Sequence, residues 1–189
     1  MQFSQLEIEG VWLAESPVWG DDRGTFREWF KSESFEKATG RAFSISQANT
    51  SVSSKGTLRG IHYSIAPEGQ AKWITCIAGT IKDVIVDIRL NSPTFGKWVE
   101  VELKADSGKA VFIAEGLGHG FLAMEEGTCV VYLVSTAFSP SFEFAINPLD
   151  PQIAINWGAD LSDLKISHKD REAPSLLARE SEGKLPKYK

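Results

Sequence analysis

The sequence predicts an all-β protein, an antiparallel sandwich or barrel, on three observations. Short runs rich in β-branched and aromatic residues recur at intervals of roughly 8–12 residues. Turn-forming clusters separate them: Gly20-Asp-Asp-Arg-Gly24, Ala78-Gly79, Asn91-Ser-Pro93, Ala105-Asp-Ser-Gly108 and Glu125-Glu-Gly127. The run Ile81–Arg89 alternates with period two, setting Ile81, Asp83, Ile85, Asp87 and Arg89 against Lys82, Val84, Val86 and Ile88.

Gln5–Trp12, with its alternating Leu6-Glu-Ile-Glu, reads as an exposed edge strand. Ser34–Thr39 reads as a short helix closed by Gly40. Strands follow at Phe43–Asn49, Leu58–Tyr63, Lys72–Ile77, Ile81–Ile88, Trp98–Leu103, Ala110–Ile113, Gly120–Met124 and Thr128–Ser135. The face of Ile81–Arg89 that carries two carboxylates meets either solvent or a polar interior, because a buried acid needs partners. After Asn147 the pattern breaks at Pro148, Asp150-Pro151 and Trp157-Gly158. Leu161–Lys189 holds Pro174 and Pro186 and reads as short helical and irregular pieces. It is too poor in apolar residues for a second domain. One domain over 1–189 is expected, with a tail from about residue 159 packed on the core.

The chain of 189 residues is long enough to bury a substantial core, and 42% hydrophobic with 24% charged residues argues against disorder. A net charge of −5 argues against a general nucleic-acid or membrane surface, while leaving room for a local basic pocket around one phosphate-bearing ligand. Met1–Gly10 carries two glutamates and no apolar run, unlike a signal peptide. No apolar stretch approaches the ~18 residues of a membrane span. Cys76 and Cys129 lie in apolar runs and read as small core residues, with neither a disulfide framework nor zinc spacing. A reducing, cytoplasmic compartment is expected.

Candidate chemistry concentrates in Leu58-Arg-Gly-Ile-His-Tyr63. By parity Arg59, Ile61 and Tyr63 share one face, Gly60 and His62 the other. His62 is then either a core residue or a working acid–base group. His119, in Gly116-Leu-Gly-His-Gly-Phe121, has the same glycine-flanked setting, which points to a shared pocket. The third histidine is His168. The metal pattern of small β-barrels needs His-x-His, a following Glu and a later His. Ser64 stands two residues after His62, so although Glu68 is available no metal is expected. Neither cysteine sits in an electropositive, exposed setting that would make a nucleophile. No glycine-rich phosphate loop is present. Acid–base chemistry fits better: Lys72, at a strand head, is a candidate cation or a solvated strand end, and Tyr132 a second acid or a core aromatic.

A longer series of motifs runs from about Gly20 to Pro174: Asp22-Arg-Gly-Thr-Phe26 with Glu28, Gln47-Ala-Asn49, Leu58–Tyr63, Gln70-Ala-Lys72, Asp83–Arg89, Ser92-Pro-Thr-Phe-Gly96, Glu115–Phe121, Tyr132, Glu143 and Ser167-His-Lys-Asp170. In this order and spacing the chain resembles the dTDP-4-dehydrorhamnose 3,5-epimerases and the related dTDP-4-keto-6-deoxyhexose 3-epimerases of antibiotic-sugar pathways. The resemblance implies a cupin-like jelly roll, a homodimer with exchange of the N-terminal strand, a dTDP-sugar substrate and no metal or other cofactor. It implies His62 as general base, Asp170 as the carboxylate that orients it, Tyr132 as the acid on the opposite face of the sugar, and Lys72 as the cation at the enolate oxygen. Arg23, Phe26, Glu28, Gln47, Asn49, Arg59, His119, Phe138, Glu143 and Lys169 match positions that contact the nucleotide-sugar.

The chemistry explains these residue types. A C4 ketone acidifies the protons at C3 and C5; removing one builds negative charge on the C4 oxygen, where a fixed cation helps most. The base must titrate near neutrality, which suits histidine. Inversion needs a proton from the other face, hence a second acid. Two positions depart from the family pattern: Ala137-Phe138 stands where an aromatic pair or a tyrosine is usual, and Trp157-Gly158 replaces Trp-Pro. A related nucleotide-sugar ketoisomerase or dehydratase would not need the full set of His62, Lys72, Tyr132 and Asp170, and a non-catalytic sugar-nucleotide-binding cupin would have lost the base or its carboxylate.

Overall fold

The computed structural model describes residues 1–67 and 69–188. Two open sheets form a sandwich. The first has the order β1 (Gln2–Gln5), β2 (Val11–Glu15), β10 (Lys109–Ile113), β7 (Lys72–Ala78), β12 (Thr128–Val134), β5 (Gln47–Ser53). The second has the order β13 (Glu143–Ala145), β6 (Thr57–Ser64), β11 (Leu117–Ala123), β8 (Thr80–Asp87), β9 (Trp98–Lys104), with β14 (Lys165–Ile166) added parallel to β6. The two sheets are not joined into a barrel; the architecture is the jelly-roll sandwich. A separate hairpin, β3 (Trp19–Asp21) and β4 (Gly24–Phe26), pairs only with itself.

Two apolar clusters hold these layers. The first joins both sheets, with Ile74, Val111, Ile113 and Val130 meeting Ile81, Ile85, Leu103 and Phe121. It extends beneath α1 (Ser32–Thr39), where Phe35 and Phe112 lie 4.6 Å apart between ring centroids and Trp73 donates its indole N–H to the Trp29 carbonyl at 2.9 Å. Gly40 ends α1 at φ +71°, a conformation that favours glycine, and its N–H bonds the Glu36 carbonyl. The second cluster sets Leu58, Ile61, Tyr63, Val84, Val86 and Ile88 against Ile146, Ile153, Trp157, Leu164, Leu176 and Leu185. The C-terminal segment, with α2 (His168–Arg171) and α3 (Leu176–Ser181), thus covers the aliphatic face predicted for Ile81–Arg89.

On the opposite face of β8, Ile81 and Ile85 enter the first cluster and the two acids beside them need partners inside. Asp83 and Asp87 are both fully buried. Asp87 accepts from Arg89 Nη2 at 2.7 Å, from Ser92 Oγ at 2.6 Å and from Thr94 Oγ1 at 2.6 Å, so its charge is satisfied inside.

Four expectations need correction. Gln5–Trp12 is not one strand: the chain turns between β1 and β2, with Gly10 at φ +89° and the Val11 N–H bonded to the Ile8 carbonyl. Ile8 points into the core from that turn, which is why its alternation with the glutamates imitated a strand. Phe43–Ser46 precedes β5, because Phe43 is drawn onto the Phe30, Phe35 and Phe112 rings. Cys76 is buried but Cys129 is half-exposed, and both are free. Finally, the parity of β6 reverses. Arg59 is exposed, Leu58, Ile61 and Tyr63 all belong to the second cluster, and His62 turns to the face opposite Ile61. The register of β6 against β11 shifts between His119 and Phe121, and Gly60 takes φ +124° at that irregularity.

Candidate active site

A cleft of about 310 Å³ opens at one end of the sandwich, lined by residues of five strands: Gln47 and Asn49 from β5, His62 from β6, Lys72 from β7, Tyr132 and Val134 from β12, and Glu143 and Phe144 from β13. Gln70, Phe138 and Lys169 complete it. The register explains the convergence on the first sheet: Tyr132 lies opposite Asn49, and Val134 opposite both Gln47 and Lys72.

His62 Nε2 is 2.7 Å from Asp170 Oδ1. Burial pushes the Asp170 carboxyl up, but the hydrogen bond and charge of His62, with the Ser167 hydroxyl, outweigh it and hold the group below its ordinary range. An ionised carboxylate only accepts, so the proton is assigned to Nε2 and Nδ1 is left for chemistry. Asp170 is placed by local sequence: Ser167 caps α2, its Oγ accepting from the Asp170 N–H at 3.1 Å.

His119 sits directly opposite His62 in the β6–β11 ladder, and its Nε2 lies 2.6 Å from Asp83 Oδ1. The two glycine-flanked histidines are therefore cross-strand neighbours, each with a buried carboxylate, although only His62 lines the cleft. Close contact explains the glycines: a Cβ on Gly120 would lie 2.8 Å from the Arg59 carbonyl oxygen.

Lys72 is 8% exposed, so it is no solvated strand end. Burial lowers its pKa, while Glu143 and then Asp83 act in the opposite direction. Tyr132 is half-buried; burial raises its phenol, partly offset by Arg59 and reinforced by Glu143, so it stays protonated at neutral pH. Arg59 donates to Ser53 Oγ at 3.2 Å and leaves its terminal nitrogens uncommitted among the described residues. Gln47 donates to Asn49 Oδ1 at 2.6 Å and accepts the Phe138 N–H at 3.0 Å, fixing the loop that carries the 59%-exposed Phe138 ring.

Five residues proposed from the sequence do not line this cleft: Arg59 and His119, which sit behind it on β6 and β11, and three that lie elsewhere. Arg23 and Phe26 lie on the β3–β4 hairpin and Glu28 just after it, all exposed and none lining the cleft. Arg23 pairs with Asp21, and Phe26 stacks on Trp19 at 6.0 Å. His168 is exposed outside the cleft, and Glu68 lies outside the described residues. Among the described residues no group of three or more His, Cys, Asp or Glu side chains is placed to hold a metal ion.

Sequence reasoning missed Phe144 and Val134 as lining residues. Phe144 gave no signal beyond its place beside Glu143; its ring stacks on Tyr63 at 5.9 Å and is covered by Arg179 at 5.3 Å. The pairing of Asp83 with His119 was equally unread, although Asp83 stood in a conspicuous motif.

Fold and cleft together define a jelly-roll protein with a His–Asp pair, a buried lysine and a tyrosine at one cleft. The comparisons narrow it. A family model described as dTDP-4-dehydrorhamnose 3,5-epimerase matches residues 5–178. A dTDP-4-dehydro-6-deoxyglucose 3-epimerase from a Streptomyces species is 45% identical over 97% of this chain and 93% of its own length. The crystal structure of NovW, a 4-keto-6-deoxy sugar epimerase from the novobiocin cluster of Streptomyces spheroides, superposes with a TM-score of 0.96 at 40% identity, covering 100% of this chain and 94% of that one. ChmJ, a 3'-monoepimerase from Streptomyces bikiniensis solved with dTDP-quinovose, gives a TM-score of 0.93 at 44% identity over 97% of this chain and 92% of its own. The chain belongs to the dTDP-4-dehydrorhamnose 3,5-epimerase family, whose members are isomerases.

Proposed function

We propose that this protein epimerises a dTDP-4-keto-6-deoxyhexose at C3, without a cofactor, by removing the proton α to the C4 ketone and returning one on the opposite face. The observation that carries the reading is the His62–Asp170 pair opening onto the same cleft as Lys72 and Tyr132. His62 Nδ1 takes the proton, and Asp170 stabilises the imidazolium. Lys72 stabilises the enolate oxygen from a buried site, where a fixed charge acts most strongly. The Tyr132 phenol supplies the returning proton.

Arg59 and Lys169 hold the diphosphate, Arg59 with two parallel guanidinium hydrogen bonds. Gln47, Asn49 and Glu143 contact the nucleotide-sugar from the cleft wall, His119 from behind His62, and Phe138 offers an exposed face to the base. We also propose a homodimer. The exposed hairpin with Arg23, Phe26 and Glu28 does not line its own chain's cleft and closes over the partner's, and β1 is an edge strand available for exchange. The two free thiols suit a reducing cytoplasm.

Incubation with dTDP-4-keto-6-deoxyglucose in deuterated water tests the reading. Deuterium at C3 alone makes it a 3-epimerase, and at C3 and C5 a 3,5-epimerase. No incorporation at either carbon overturns it.

A further inference from the structure

We propose that Asp83 is a positioning residue: the buried anion that fixes the His119 ring and balances the Lys72 ammonium across the sandwich. It rests on the epimerase reading for its consequence, though not for its geometry.

Three observations meet at this side chain. Asp83 has no solvent exposure, and one of its oxygens, Oδ1, is taken by His119 Nε2 at 2.6 Å. The other, Oδ2, is buried with no hydrogen-bond partner among the described residues. A buried carboxylate with an unpaired oxygen is costly unless positive charge lies nearby. Lys72 is that charge: it stands on the facing sheet, and Asp83 is one of two acids that oppose the lowering of its pKa by burial.

The other acid, Glu143, lines the cleft beside the substrate's place, where a bound ligand meets it directly. Asp83 does not line the cleft, so its contribution persists while substrate is bound. Of the other ionisable groups, Tyr132, His62 and Lys169 line the same cleft as Lys72, while Arg59 acts on Tyr132 and His119 faces His62 across the β6–β11 ladder. The two histidines become cations only on protonation, and Arg59 and Lys169 already are cations, so none of the four supports an ammonium at Lys72. Asp83 also commits His119. As an acceptor it draws the ring proton to Nε2 and turns Nδ1 away from itself.

The Asp83→Asn variant tests this with a readout independent of turnover. Labelling of Lys72 by acetic anhydride as a function of pH, read by mass spectrometry, reports its ionisation. In Asp83→Asn the labelling midpoint moves to lower pH, and the alkaline limb of kcat moves with it. On that alkaline limb kcat falls on the order of tenfold, the size of one pKa unit of lost ammonium. An unchanged labelling midpoint in the folded variant overturns the proposal. If the variant does not fold, imidazole nitrogen NMR on the wild-type protein decides: His119 is expected to carry its proton on Nε2 at neutral pH, and an unprotonated Nε2 overturns the proposal. Wild-type protein that fails to exchange deuterium into the keto-sugar while Lys72 still titrates as expected refutes the epimerase reading alone.

Discussion

His62 Nε2 and Asp170 Oδ1 lie 2.7 Å apart although 108 positions separate them in the chain. The contact exists because the C-terminal segment folds back over the second sheet and passes beside β6 with a capped turn of helix. Base and orienting carboxylate thus come from β6 and α2, elements far apart in sequence and packed together in space. Replacing Asp170 by Asn leaves the shape and removes the charge. Proton exchange at C3 is expected to fall by about a hundredfold or more, with the acid limb of the pH profile displaced; wild-type exchange rates would contradict the pairing.

Lys72→Met keeps the stem and removes the ammonium. We expect kcat to fall about a hundred- to thousandfold with the affinity for dTDP little changed, measured by steady-state kinetics and calorimetry. In the wild type, burial has lowered the lysine below its ordinary 10.5, so activity should decline at a pH below that value as the ammonium is lost.

Tyr132→Phe separates the two half-reactions. His62 is intact, so deuterium still enters the substrate, whereas product inverted at C3 falls by about a hundredfold or more. Equal loss of exchange and inversion would mean that Tyr132 is not the returning acid.

Gly60→Ala tests the irregularity that turns His62 and Arg59 to one side. An added Cβ would lie 2.5 Å from Gly120 Cα and 2.7 Å from the His119 carbonyl oxygen, at φ +124°. Stability should drop by at least about 1–3 kcal/mol, read as a lower urea midpoint, and activity should drop with it. This irregularity is also why the parity of Leu58–Tyr63 misled. A strict two-residue period put Arg59 with Ile61, and only the register shift against β11 puts it on the side of His62. The β-rich runs from Lys72 to Val134 were legible because their cross-strand partners follow the same alternation. The cleft lining was legible mainly through the motif series, since periodicity alone left Lys72 and Tyr132 as ordinary strand residues. Phe144 and the Asp83–His119 pair were not legible, because each depends on strands paired far apart in sequence.

Acid stability should follow two carboxylates. For Asp87, burial pushes up and the Arg89, Ser92 and Thr94 hydrogen bonds pull down further, leaving it below 3.8; Asp170 behaves alike. Both folded values lie below the unfolded ones, so the stability they contribute is complete above about pH 4 and is lost as pH falls through the lowered values. Asp87→Asn should cost about 3 kcal/mol at neutral pH, because Arg89 is left without its counter-ion, and should flatten the acid limb. Unfolding midpoints in urea across pH 2–7 check both, and an unchanged slope would contradict the assignment.

The central claim is that His62 removes the proton α to the ketone. The most direct measurement is the rate of deuterium incorporation into dTDP-4-keto-6-deoxyglucose by wild-type and His62→Asn protein, both folded and both titrated with dTDP. The account predicts incorporation by the wild type and a loss of about a hundred- to ten-thousandfold in the variant, with dTDP still bound. Incorporation by His62→Asn at the wild-type rate would contradict it.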